Sequence, residues 1–244
     1  MALEADAVRF VLLDASTAPA NVLELWPRAT KTLPDGFQQP TQPGAPAVAN
    51  GGSGGFQVAL VSQPGRLEIF LTARQTAGGA PAGIKDIRDA ISHGAALIRR
   101  LLRAKPLHRI ALILDLSEPA DDMTTATARW LLELPFLKVP PGARDLSYQV
   151  NRPIKSVKMP NVGINRLCKW GTAMKQVIRM QLTPGGLSQQ SPMVLSSNAV
   201  FTVTFDINTE AVEKAFTESQ SKLLVDDLVE EASQLMTKGY DHLN

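Results

Sequence analysis

A regular alternation of side chains near the end of the chain places the strongest limit on its fold. Between residues 199 and 207 every second side chain belongs to an apolar set, and those in between are mostly polar. The apolar set is Ala199, Phe201, Val203, Phe205 and Ile207. A period of two is typical of a β-strand with one buried face and one open face. The segment therefore predicts a strand in a sheet that is covered on one side.

Residues 56–71 show the same alternation on both sides of a turn. The alternating apolar residues are Phe56, Val58, Leu60, Leu67, Ile69 and Leu71. Pro64 and Gly65 separate the two halves. Proline presets φ and glycine accepts a positive φ, so this pair favours a type II turn. The segment predicts an antiparallel hairpin.

Helical spacing of apolar residues marks three segments in the first two thirds of the chain. The first segment is short, and one of its faces carries Val22, Trp26, Ala29 and Leu33. We expect Pro27 to kink this helix. Longer helices are predicted over about 84–104 and about 120–134. Pro119 is expected to fit the first turn of the helix at 120–134, because proline lacks the amide hydrogen that is unpaired there anyway.

The last predicted helix, over about 217–238, has clear signals at both ends. Thr217 and Gln220 have the spacing of a capping box, and Gly239 follows as a typical stop. Residues 107–116 are apolar on both faces, as in a covered central strand. Because hairpins dominate the order of elements, we predict an α+β fold with a mostly antiparallel sheet and helices packed on one face.

The 244 residues are predicted to form a single domain. Residues 34–55 are rich in Pro, Gly, Gln and Ala and nearly uncharged, which predicts a flexible loop. Apolar runs such as 110–114 are far too short to cross a bilayer, and the N-terminus has acids where a secretory signal needs bases. A single cysteine, Cys168, fits a reducing compartment. We therefore expect a cytoplasmic protein without a membrane partner.

Three places in the chain resemble a sporadically distributed, uncharacterised family of bacterial proteins of similar length. They are the hairpin, helix and strand that end at 109–113, the strand at 177–183, and the strand at 203–208 with the acidic helix after it. One difference lies at 115–118, where Asp-Leu-Ser-Glu replaces the Arg-Tyr-Asn-type ending of that family. The resemblance implies an α+β fold and a gene associated with defence or mobile elements. It carries over no functional residue.

Charge is distributed unevenly along the chain. Residues 138–179 contain nine Lys or Arg and one Asp, whereas residues 201–244 contain nine acids and three Lys. The candidate site is a basic face for nucleic acid or an acidic partner, with Tyr148 and Trp170 offering rings to stack on bases. Its residues are Lys155, Lys158, Arg166, Lys169, Trp170, Lys175 and Arg179. The alternative is that the basic segment pairs with the acidic terminal helix, within one chain or between subunits.

Four carboxylates after the covered strand form the best candidate for catalysis. They are Asp115, Glu118, Asp121 and Asp122. Carboxylates at the end of a strand can hold Mg²⁺ for phosphoryl chemistry. The competing interpretation is that Asp121 and Asp122 cap the next helix, where negative charge favours the helix dipole.

Cysteine and histidine offer little chemistry. Cys168 would be a nucleophile only if His93 or His108 approached it, and a lone cysteine in a strand is usually a small buried residue. His93, His108 and His242 lack the spacing of metal ligands. We predict no cofactor and no metal.

These patterns favour a non-catalytic binding or assembly component that acts through protein–protein contacts, including self-association. The resemblance adds a setting in bacterial anti-phage defence or in a mobile element. A sequence-indifferent nucleic-acid-binding protein that uses residues 138–179 is the first alternative. A metal-dependent hydrolase that uses residues 115–122 is the second.

Overall fold

The computed structural model describes residues 3–40, 42, 44–74, 82–103, 106–140, 142–179, 182–183, 186–187 and 193–243, with the side chains of 177–195 left aside. Twelve strands are described: β1 (Glu4–Leu13), β2 (Gly36–Gln38), β3 (Ala47–Ser53), β4 (Phe56–Gln63), β5 (Arg66–Ala73), β6 (Arg109–Ala120), β7 (Ser147–Asn151), β8 (Ile154–Lys155), β9 (Gly163–Arg179), β10 (Leu182–Thr183), β11 (Gly186–Leu187) and β12 (Met193–Thr209). The α-helices are α1 (Val22–Thr30), α2 (Ile87–Leu101), α3 (Met123–Glu133) and α4 (Glu218–Lys238), and a 3₁₀ helix spans Gly239–Leu243.

Ten of the strands form one sheet in which every described pair is antiparallel. The order across it is β2-β3-β4-β5-β1-β6-β12-β9-β7, and β8 also pairs with β9. The N-terminal strand β1 lies near the middle, between β5 and β6, and the longest strands, β9 and β12, pair along most of their length. β10 and β11 form a separate small ladder. The predicted antiparallel α+β fold is confirmed.

All four α-helices pack on the same face of this sheet. In α2, a Cβ on Gly94 would lie 2.6 Å from the ring of Phe10 in β1, so the helix backbone touches the sheet closely. Trp26 of α1 lies over Gly51 of β3, and Arg129 of α3 lies over the Phe201 ring of β12 at 4.9 Å. The buried stripe of α4 completes the core on this side. We call this the helical face, and we call the opposite side the open face.

The sequence signals for the two ends of the last helix agree with the structure. The Thr217 hydroxyl and the Gln220 side chain make both bonds of the capping box, and Gly239 follows α4. Pro119, in contrast, lies in β6 rather than in a helix, and α3 begins later at Met123. The prediction that Pro119 starts the helix was wrong because β6 continues its pairing with β12 as far as Ala120.

The predicted loop at 34–55 is wrong for two segments, because β2 and β3 lie within it. Most residues of β3 are small, and a Cβ on Gly51 would lie 3.0 Å from the Trp26 ring. The small residues therefore leave room for α1 to pack, although they carry little strand signal. Leu33 also departs from its predicted place on the first helix. That helix ends at Thr30, and Lys31 takes a left-handed conformation with φ of 68°.

No helix in the described part of the chain is long and apolar enough to span a membrane.

Candidate functional site

The candidate catalytic carboxylates are divided between the two faces of the sheet. Asp115 lies on the open face, where Arg9 binds it at 2.8 Å and the Thr204 hydroxyl donates to it at 3.3 Å. Glu118 pairs in register with Phe201 and points to the helical face, where Arg129 donates to it at 3.0 Å. Each carboxylate therefore has its own arginine, and the sheet separates the two.

The other two carboxylates belong to the turn before α3. Asp122 is the N-cap, and its side chain accepts a 2.7 Å hydrogen bond from the Thr125 amide. Hydrogen bonds from Thr125 lower the pKa of this exposed carboxyl. Asp121 is exposed beside it. Among the residues with described positions, no three His, Cys, Asp or Glu side chains are grouped so that they could hold a metal ion.

Cys168 is buried on the helical face of β9, in register with Phe205. Burial raises the pKa of its thiol to about 12. The histidines are engaged elsewhere: His93 contacts the Ser53 hydroxyl at 3.1 Å, and His108 contacts the Val212 carbonyl at 2.9 Å. His242 lies 3.0 Å from Glu231. Cys168 is therefore a small packing residue of the core.

We expect Cys168 to be unreactive in the folded protein. A thiol with a pKa of about 12 is almost entirely protonated at pH 8, and the thiolate is the form that attacks a disulfide reagent. A chromogenic disulfide should therefore react with about one thiol per chain in denaturant and with a negligible fraction of the folded protein. A fast, full reaction of the folded protein would show that Cys168 is accessible and activated.

Two members of the predicted basic face are buried. Arg166 is on the helical face, where its guanidinium donates to the carbonyls of Arg152 at 2.9 Å and His242 at 3.0 Å. Glu231 of α4 lies 3.7 Å from it. Trp170 is only 1% exposed and is surrounded by the rings of Tyr148, Phe205 and Tyr240. Neither can contact a nucleic acid here, because period-two alternation turns both side chains towards the core.

The remaining predicted residues are spread over different surfaces. Lys169 is exposed on the open face, and Lys175 on that face binds Asp6 of β1. Lys158 lies on the helical side, in an ion pair of 3.1 Å with Asp226 of α4. Lys155 is exposed on β8, and the side chain of Arg179 is outside the described part. The predicted set is therefore not one continuous surface.

The basic segment and the acidic helix pair partly within the chain. Asp226 accepts from both Lys158 and Arg99 of α2. Burial alone would raise the pKa of Asp226, but hydrogen bonds from these two cations outweigh it and hold the pKa below its usual value. Asp227, which is buried, accepts from the Ser156 hydroxyl and from the Lys158 amide at 3.0 Å. α4 thus anchors residues 156–158.

Two surface features of the structure gave no signal in the sequence. One is the edge of the sheet at β2, where Phe37 is 59% exposed and is preceded in the chain by Leu33, which is 82% exposed. The other is a cationic pocket between α1, α2 and α4, to which Arg28, Lys31 and Lys222 contribute. The exposed apolar residues near β2 were not predicted, because helical spacing had assigned Leu33 to the buried face of the first helix. The second could not be found by scanning for charge runs, because its residues come from three distant segments.

No family model matches the sequence, and no curated protein matches it. The resemblance to the bacterial family therefore stays a prediction, as does the defence or mobile-element setting.

Proposed function

We propose that this protein is a non-catalytic binding component that assembles with a second copy of itself through the edge of β2. The observation that carries the proposal is a pair of exposed large apolar side chains, Phe37 within β2 and Leu33 three residues before the strand begins, which are 59% and 82% exposed. Large apolar side chains in contact with water favour association, since burying them releases the water that surrounds them.

The backbone of β2 is also open to a partner strand. β2 pairs with β3 through Gly36, Phe37 and Gln38, and no described residue pairs with its other edge. An unpaired edge offers a row of amide and carbonyl groups to another strand. Two copies related by a two-fold axis would present the same edge to each other, which closes the assembly as a dimer.

Charge supports the choice of an apolar contact over an ionic one. Two acidic groups of α4 are already engaged within the chain and are not free to bind another subunit: Asp226 pairs with Lys158, and Glu218 pairs with Arg103 at 3.0 Å. Ionic association weakens as salt screens the charges, whereas apolar association does not. The two kinds of contact therefore give opposite responses to salt.

Sedimentation velocity over a concentration series tests the proposal. We expect a reversible monomer–dimer equilibrium that persists or strengthens as salt rises. Phe37→Asp should shift the equilibrium towards monomer by at least about tenfold, because a charge at an apolar contact must be desolvated or must prevent docking. Leu33→Asp should act in the same direction.

Leu132→Asp is the matched control. Leu132 lies on α3 and is 75% exposed, so its replacement makes the same chemical change on a different surface. It should leave the dimer intact. A protein that stays monomeric at every concentration would refute the proposal. Loss of the dimer in Leu132→Asp but not in Phe37→Asp would move the interface to α3.

A further inference from the structure

A shallow pocket of about 390 Å³ lies between the ends of three helices and is lined almost entirely by cations. These ends are the C-terminal end of α1, the last turn of α2 and the first turn of α4. The lining residues are Arg28, Lys31, Arg99, Arg100, Arg103, Glu218 and Lys222. Among the described lining residues, six positive side chains thus accompany one carboxylate.

The carboxylates near this pocket do not balance its cations. Glu218 is shared by Arg103, at 3.0 Å, and Lys222, and these two partners hold the pKa of Glu218 below its usual value. Arg100 donates to a backbone carbonyl, that of Ala29, at 2.6 Å. Arg99 binds Asp226, which it shares with Lys158.

Two of the pocket's cations have no acidic partner in the part of the chain that the structure describes. Among the residues described in the structure, neither Arg28 nor Lys31 has a carboxylate oxygen within 4.0 Å. Like charges held this close repel one another, and an anion placed between them would remove that repulsion.

We propose that this pocket binds a compact polyphosphate, meaning a chain of linked phosphates such as a triphosphate. A triphosphate concentrates several negative charges over a short distance, which matches six cations around one small pocket. Arginine and lysine are the usual ligands of phosphate oxygens.

The chemistry of the lining favours the phosphate chain over the base of a nucleotide or a strand of nucleic acid. None of the described residues that line the pocket is aromatic, so they offer a base no ring to stack on. A nucleic-acid backbone carries one charge per phosphate along an extended path and needs a stripe of cations. Here the six described cations line a single pocket of about 390 Å³.

Isothermal titration calorimetry at low salt, with inorganic tripolyphosphate as the probe, tests the proposal. Tripolyphosphate and ATP should bind with similar affinity, because both present three linked phosphates. Orthophosphate should bind at least about tenfold more weakly, since it makes fewer charged contacts. Affinity should fall steeply as salt rises.

Two substitutions locate the site. Arg28→Gln and Lys31→Asn remove cations that make no ion pair in the described structure, and asparagine tolerates the left-handed backbone at position 31. Together they should weaken tripolyphosphate binding by at least about tenfold. Arg88→Gln is the control, because Arg88 is an exposed arginine of α2 outside the pocket.

Four results would overturn the proposal. One is no binding of tripolyphosphate at low salt, and another is binding that the double substitution leaves unchanged. Binding of ATP without tripolyphosphate would point to recognition of the base. Tighter binding of a single-stranded oligonucleotide than of tripolyphosphate would assign the cations to a nucleic-acid surface. Sedimentation of the same variants keeps this test separate from dimer formation.

Discussion

Trp170→Ala should lower the free energy of unfolding by about 3–5 kcal/mol, as expected for removing a fully buried large aromatic residue. The indole is 1% exposed, and its centre lies 5.8 Å from the ring of Tyr240 and 6.2 Å from that of Phe205. Alanine would leave a cavity where β9, β12 and the chain after α4 meet. The sequence had instead suggested Trp170 as a ring for stacking on bases.

Urea unfolding followed by circular dichroism measures this loss. Lys169→Ala is the control, since Lys169 is the next residue of β9 and points to the open face. Its effect should stay within about 0.5 kcal/mol. Trp170→Phe keeps most of the ring and should lose less than the alanine variant. A loss below about 1 kcal/mol in Trp170→Ala would mean that the indole is not closely packed in the core.

Asp227→Ala should cost about 2–4 kcal/mol of stability, while the same change at its neighbour Asp226 should cost less than about 1 kcal/mol. Asp227 is buried and accepts hydrogen bonds from the Ser156 hydroxyl and the Lys158 amide. Without it, these two donors would lose their acceptor in a water-poor site. Asp226 makes ion pairs with Arg99 and Lys158, but all three side chains are 35–41% exposed.

Asp226→Ala serves as the control for Asp227→Ala, because the two residues are adjacent and chemically identical. Unfolding of both in urea, at pH 7 and in moderate salt, gives the comparison. Equal losses would mean that the exposed ion pairs hold residues 156–158 to α4 as strongly as the buried carboxylate does. A larger loss in Asp226→Ala would reverse the order of these contributions.

Much of the local structure follows from the sequence alone. The alternation at 199–207 predicts β12, and the alternation around Pro64 and Gly65 predicts β4 and β5. Thr217, Gln220 and Gly239 mark the two ends of α4. These signals work because strand periodicity, capping and turn chemistry each depend on residues a few positions apart. Together they were enough for the fold class.

β2 and β3 could not be found in this way. Their residues are mostly small or polar, so they carry no apolar alternation and resemble a loop. Their pairing with β4 and the packing of Trp26 over Gly51 decide their conformation. Tertiary context therefore outweighed local propensity at the edge that we propose for assembly.

The sequence by itself determined the class of fold and the types of most elements, because the patterns behind them are local. Only the tertiary structure decided which charged groups meet. It placed Asp115 and Glu118 on opposite faces of the sheet, buried Arg166 and Trp170, and brought Arg28 to Lys222 across 194 positions. The register of a strand with its neighbours decides which of its side chains face the core. The lining of a pocket depends on the packing of helices that are distant in sequence.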